Sequence, residues 1–207
     1  MDSDVDLLKE HFGGWWCGIR FGKTDGQENL PASRPMRFCE AVASSRTGPI
    51  TLRPETLDCP GGSRCFRWGG KEEEIARMMA EKGNLDVETA RRILDNTPRL
   101  EEKPGEVTVG TFQSPDVVLS YLQPDAVMHL IRQWQIVQDG RPVQVGISGF
   151  MSVCGAVAVK ACLTNRICLS FGCLDAREFG CITRDRLIVG LPREMVHNIV
   201  GTLKKQK

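Results

Sequence analysis

The sequence predicts an α/β or α+β fold: a single compact domain over residues 1–207, with two pseudo-symmetric helix–turn–strand–loop units packed around a mixed sheet. Three observations predict it. Segments with apolar residues at helical spacing alternate along the chain with short β-branched and aromatic runs. No linker is long enough to demand two separate domains. Two stretches, 36–70 and 151–181, also carry the same cysteine-bearing pattern.

The elements follow in order. WWCGIRFG, from Trp15 to Gly22, alternates as a strand and runs into the turn-rich KTDGQENLPAS. Ser33 is expected to cap a helix over RPMRFCEAVASS, with Pro35 in its first turn and Gly48 beyond its end. A short strand, Pro49 to Leu52, leads toward Cys59 and a tight Pro60-Gly61-Gly62 loop expected to bare its backbone N–H groups. KEEEIARMMAEKG sets Ile75, Met78 and Met79 on one helix face and stops at Gly83. Asp86 opens a further helix with Ala90, Ile93 and Leu94 inward and Pro98 past its end. EVTVGTF reads as a half-buried strand and DVVLSYL as a denser apolar one. Pro124 starts a helix whose stripe is Val127, Leu130, Ile131 and Trp134. Asp139-Gly140 turns the chain into an expected strand, VQVGI. A helix from about Phe150 to Leu163 and a strand ICLSF bring the chain to Cys173. A strand around LIVG and a helix burying Met195, Val196, Ile199, Val200 and Leu203 complete it.

Composition narrows the function. At 41% hydrophobic and 26% charged residues, the 207-residue chain is ordinary for a soluble globular protein. A net charge of +1 supplies no electrostatic reason to bind nucleic acid or an anionic membrane. No apolar run approaches the roughly 20 residues of a membrane-spanning helix. The start, MDSDVDLLKE, is acidic where a secretory leader is basic, so a cytoplasmic location is expected. In that reducing setting nine cysteines, an odd number, are expected as thiols rather than disulfides. By the ordinary habit of cysteine, about half of them serve as small buried hydrophobes. The excess points to metal or cluster ligation, or to redox chemistry.

Four cysteines stand out. Cys39 and Cys154 are each followed by an Ala-Val pair (Ala41-Val42 and Ala156-Val157), then by a helix, a turn and a strand ending at a second cysteine, Cys59 or Cys173. The separations nearly agree, 20 positions (59 − 39) and 19 positions (173 − 154). Arginine and an aromatic-Gly pair follow both, as Arg67 with Trp68-Gly69 and Arg177 with Phe179-Gly180. If the two units face one another, Cys39, Cys59, Cys154 and Cys173 converge on one centre. Four thiolates suit a cubane iron–sulfur cluster, and zinc is the alternative. Zinc is the weaker choice, because the close C-x₂₋₄-C knuckles of structural zinc sites are missing among these four. Gly61 and Gly62 with Arg64, Arg67 and Arg177 would then hold an anion or hydrogen-bond the cluster sulfurs.

Two other classes stay open. Cys59 activated by Arg64 or Arg67 would make a thiol enzyme with the glycine loop as oxyanion site. A non-catalytic zinc or small-ligand module is the third. Neither a phosphate-binding G-x-x-x-x-G-K-[ST] loop nor a dinucleotide fingerprint is present, and His11, His129 and His197 form no H-E-x-x-H motif. A redox partner protein or a small-molecule substrate is the expected counterpart, with a homodimer left open.

FCEAV, DCPGGSRCFRWG, SVCGAVAVKACLTNRICLSFGC and REFG, together with SPDVVLSYLQPDAVMHLI and IVGLP, resemble an uncharacterised cysteine-rich family of archaea and anaerobic bacteria, domain of unknown function 169. The likeness spans most of the chain. It implies that the family pattern falls on Cys39, Cys59, Gly61, Gly62, Gly69, Cys154, Cys173 and Arg177. Cys17, Cys65, Cys162, Cys168 and Cys181 would be structural or accessory thiols. The resemblance implies no reaction.

Overall fold

A computed structural model describes residues 2–23, 30–145 and 147–206. One mixed seven-stranded sheet organises them. Its strands are β1 (Trp15–Phe21), β2 (Leu30–Pro31), β3 (Ile50–Leu52), β4 (Val107–Gly110), β5 (Val117–Leu122), β6 (Cys168–Ser170) and β7 (Leu187–Pro192). They lie in the order β2-β3-β4-β1-β5-β7-β6. The short β2–β3 pair is parallel and every other neighbouring pair is antiparallel.

The helices are α1 (Asp2–Phe12), α2 (Phe38–Ser44), α3 (Pro60–Cys65), α4 (Glu72–Gly83), α5 (Val87–Asp95), α6 (Pro124–Val137), a π-helix (Ser152–Val159) running into α7 (Lys160–Thr164), α8 (Leu174–Phe179) and α9 (Arg193–Lys205). Strand alternation decides which helices each residue meets. Cys17, Ile19, Val107, Val109 and Leu119 pack toward the layer of α2 to α5 and the π-helix. Trp16, Val118, Leu122, Val189 and Leu191 pack toward α1, α6 and α9. Both faces are therefore covered, and β4 and β5 are buried along their whole length. This corrects the half-buried reading of β4. Its Thr108 lies within the sheet because its hydroxyl pairs with Thr51 at 2.9 Å.

The strand order reads the same outward from the central β1–β5 pair. Beside β1 lie β4 and then β3; beside β5 lie β7 and then β6. Apart from the two-residue β2 at the edge, each half thus places its first strand at the centre, its last strand next and the one between them in sequence outside. The halves differ in length, since α4 and α5 intervene between α3 and β4, whereas α8 leads to β7 without a further helix.

Several expectations are revised. Ser33 caps no helix: Met36 instead bridges Leu57 in parallel, with backbone bonds Met36 N–H to Thr56 O (3.0 Å) and Asp58 N–H to Met36 O (2.9 Å). That extended pairing delays the helix to Phe38, where the Glu40 carboxylate accepts from the Arg37 N–H at 3.3 Å. VQVGI forms no strand among its described residues, and only its last residue, Ile147, joins the sheet, through a bridge to Leu169. Its alternation is real in another sense, because Val143 and Val145 pack on the core while their backbone lacks a strand partner. α1 and α8 lie where no helix was expected. Most of the turn-rich segment, residues 24–29, lies outside the described residues.

Candidate metal centre

The Cys59 segment departs most from expectation. Pro60 to Gly62 is the first turn of α3, not an open loop. Proline suits that place, having a helical φ and no N–H to orphan. Cys59 is the N-cap: its Sγ accepts the Gly62 N–H at 3.3 Å, and its carbonyl accepts the Ser63 N–H at 2.8 Å. The amide expected to be bared is thus already aimed at a sulfur. Cys173 occupies the same place, as N-cap of the equally short α8. Cys39 sits in the first turn of α2, and Cys154 on the π-helix.

The sheet order brings these four elements together crosswise. α2 of the first half packs on α8 of the second, and α3 packs on the π-helix. Cys39, Cys59, Cys154 and Cys173 consequently line one cavity of about 260 Å³, with Phe38, Phe150 and other apolar side chains in its walls. Cys39 and Cys154 are buried; Cys59 and Cys173 are partly exposed. The Cys39 thiol donates to the Asp175 carbonyl at 3.5 Å, and the Cys154 thiol to the Met151 carbonyl at 3.8 Å.

Their electrostatics mark one centre. Burial pushes the Cys39 thiol far up, and the thiolates of Cys59, Cys154 and Cys173 push it further. Burial, then Cys154, pushes Cys59 up to about 12, against hydrogen bonds from the Gly62 and Phe38 backbone and the charge of Arg37. Cys154 is raised first by its hydrogen bond with Cys65, then by burial and by the charges of Cys65 and Cys173. Such thiols stay protonated at neutral pH until a cation compensates them.

The other residues singled out from the sequence divide. Gly61 and Arg177 line the cavity. Arg177 is spent on backbone, donating to the carbonyls of Thr183 (3.1 Å) and Phe171. Arg64, although buried, points away: it donates to the Thr97 carbonyl at 3.0 Å and pairs with Glu72 at 3.3 Å. Arg67 is exposed. Neither acts on Cys59, whose nearby cation is Arg37. Gly62 serves through its N–H, as described above.

Sequence reasoning missed three participants, Asp175, Met151 and Ser152, and set a fourth, Cys65, among the structural or accessory thiols. Asp175 binds Arg37 and Lys82, each at 2.7 Å, at the cavity edge. Met151, in the left-handed region at φ 45°, starts the π-helix. Cys65 is wholly buried beside Cys154. Ser152 lines the cavity, and its buried hydroxyl has no hydrogen-bond partner among the described residues. Only the neighbouring cysteines could have drawn attention to Ser152 and Met151.

Among the described residues, no three His, Cys, Asp or Glu side chains converge tightly enough to hold a single ion as they stand. None of their helices is long and apolar enough to cross a membrane. No curated protein and no solved structure gives a significant match. One family profile matches residues 18–202, and the chain belongs to that family, the uncharacterised ArCR proteins (domain of unknown function 169).

Proposed function

We propose that the protein is a cytosolic iron–sulfur protein holding one cubane cluster on Cys39, Cys59, Cys154 and Cys173, for electron transfer or for cluster-dependent chemistry. The observation that carries this reading is the shared cavity. Two cysteines from each of two distant segments line it. Thiols ringing about 260 Å³ suit a multi-iron group better than one tetrahedral ion.

Two further features fit an anionic sulfur-rich occupant. Ser152 brings to the cavity wall a buried hydroxyl without a partner among the described residues, and buried polar groups are rarely left so. The Gly62 N–H already bonds the Cys59 sulfur, the kind of contact that tunes a cluster's potential. When bound, the cluster would supply one-electron redox or Lewis-acid chemistry. The chain's own residues would provide the thiolates, the Gly62 and Ser152 donors, and apolar walls that keep water away. Arg37 and Lys82, gathered by Asp175, would lie at the edge and offset negative charge. A redox partner protein or small-molecule substrate would approach there.

Iron, sulfide and zinc analysis of protein purified without oxygen tests the reading. About four irons and four sulfides per chain are expected for a cubane. One zinc per chain, or metal-free protein after attempted reconstitution, would overturn it.

A further inference from the structure

Beside the four-thiol centre lie two sulfurs that the cluster reading does not use, those of Cys65 and Met151, both next to its ligand Cys154. Cys65 is wholly buried at the end of α3, and its thiol donates to the Met151 Sδ at 3.9 Å. Cys154 neighbours the same thiol across the α3–π-helix contact, and Cys65 is the chief cause that raises its own thiol. Two glycines create the room. A Cβ on Gly61 would stand 2.9 Å from Met151 Cγ, and one on Gly155 would stand 2.9 Å from Cys65 Sγ. The wide first turn of the π-helix helps: the Met151 carbonyl accepts both the Gly155 N–H (2.9 Å) and the Ala156 N–H (3.0 Å). Met151 itself is 8% exposed, so the thioether is held inside the protein.

We propose that Cys65, Cys154 and Met151 form a site for a soft monovalent metal ion, of which copper(I) is the natural representative. The donors are two thiols and a thioether, a set that selects soft ions. Zinc takes its ligands from thiolate, imidazole and carboxylate, and has no place for the thioether. The spacing of the Cys65–Met151 pair also fits. A metal–sulfur bond of about 2.3 Å in a trigonal plane sets its donors about 4.0 Å apart, against the 3.9 Å between Cys65 and Met151. Binding releases the two thiol protons, one each from Cys65 and Cys154, and forms two metal–thiolate bonds and one metal–thioether bond. Because Cys154 belongs to both groups, copper(I) and the cluster exclude one another.

The test titrates the full chain, kept metal-free without oxygen, with copper(I) buffered by a chromogenic chelator. The wild type is expected to take one ion tightly. Cys65→Ala should weaken binding at least about 100-fold and Met151→Leu about tenfold, judged against the about 10–100-fold that supporting contacts alone contribute. Met151→Leu conserves volume and guards against a folding artefact. Unchanged copper affinity in both variants overturns the proposal. Iron uptake, followed in parallel, separates this inference from the cluster reading. Wild-type protein that takes no iron even without copper fails the cluster while the copper affinities still stand. Normal iron loading with copper affinity indifferent to Cys65 and Met151 fails the copper site alone.

Discussion

Ser152→Ala should shift stability in opposite directions in the metal-free and cluster-loaded protein. In the metal-free chain the Ser152 hydroxyl is buried without a partner among the described residues, a state that costs about 1–3 kcal/mol. Removing it relieves that cost, less a fraction for the one-atom void, so a net gain of about 1 kcal/mol is expected. For a chain of this size that raises Tm by about 2–4 °C. With an anionic cluster in the cavity the same hydroxyl gains an acceptor. Deleting a hydrogen bond to a charged group then costs about 1.5–3 kcal/mol, or at least about a tenfold weaker hold on the cluster. Thermal melts of both forms, with iron release to a chelator, make the measurement. Helix propensity also favours alanine, but it acts equally in both states and cannot reverse the sign. Shifts of the same sign in both forms would refute the argument that Ser152 waits for an acceptor in the cavity.

Other outcomes follow from the same geometry. Cys39→Ser and Cys154→Ser should each lose most of the bound iron although they lie 115 positions apart (154 − 39); full iron in both would sink the shared site. In metal-free protein Cys59, pushed up from 9.0 to about 12, should resist alkylation at neutral pH and react faster as pH approaches 12, after exposed Cys181. The same shift makes the folded chain hold its proton more tightly than the unfolded one. Its stabilising contribution is complete below pH 9 and declines toward pH 12, which denaturant melts across that range would record. Arg64→Met should lower stability by about 1–3 kcal/mol, through the stranded Thr97 carbonyl, and leave Cys59 alkylation unchanged. Faster or slower alkylation would restore Arg64 as a partner of Cys59.

Local signals were read well where the burial of an element shows directly in its own run of apolar residues. The stripe Met195, Val196, Ile199, Val200 and Leu203 is the buried face of α9, and the apolar run in DVVLSYL is β5. Asp86 caps α5 through the Thr89 N–H at 2.8 Å, as an aspartate before a periodic segment should. Signals failed where a distant partner competed with a local preference. Pro35 could begin a helix, but the strand-like pairing of Met36 with the Leu57 segment claims those residues. The alternation of Val143 and Val145 reports contact with the core, which a strand and an irregular segment can both make. Proline after Cys59 reads equally as a turn or a first helical residue. The sulfur's bond to Gly62 accompanies the helix.

The sequence alone determined the mixed class of the fold, the stripes of its longer helices and the matched pattern around Cys39–Cys59 and Cys154–Cys173. Those features rest on interactions within a few residues or on repeated spacing, both visible along a chain. Tertiary structure decided that α2 meets α8 and α3 meets the π-helix, and therefore which thiols share a cavity. It also turned Arg64 away and brought Cys65 to Cys154 and Met151. These outcomes depend on the order of strands across the sheet, β3-β4-β1 beside β5-β7-β6. That order is set by the joint burial of both sheet faces and not by any single segment.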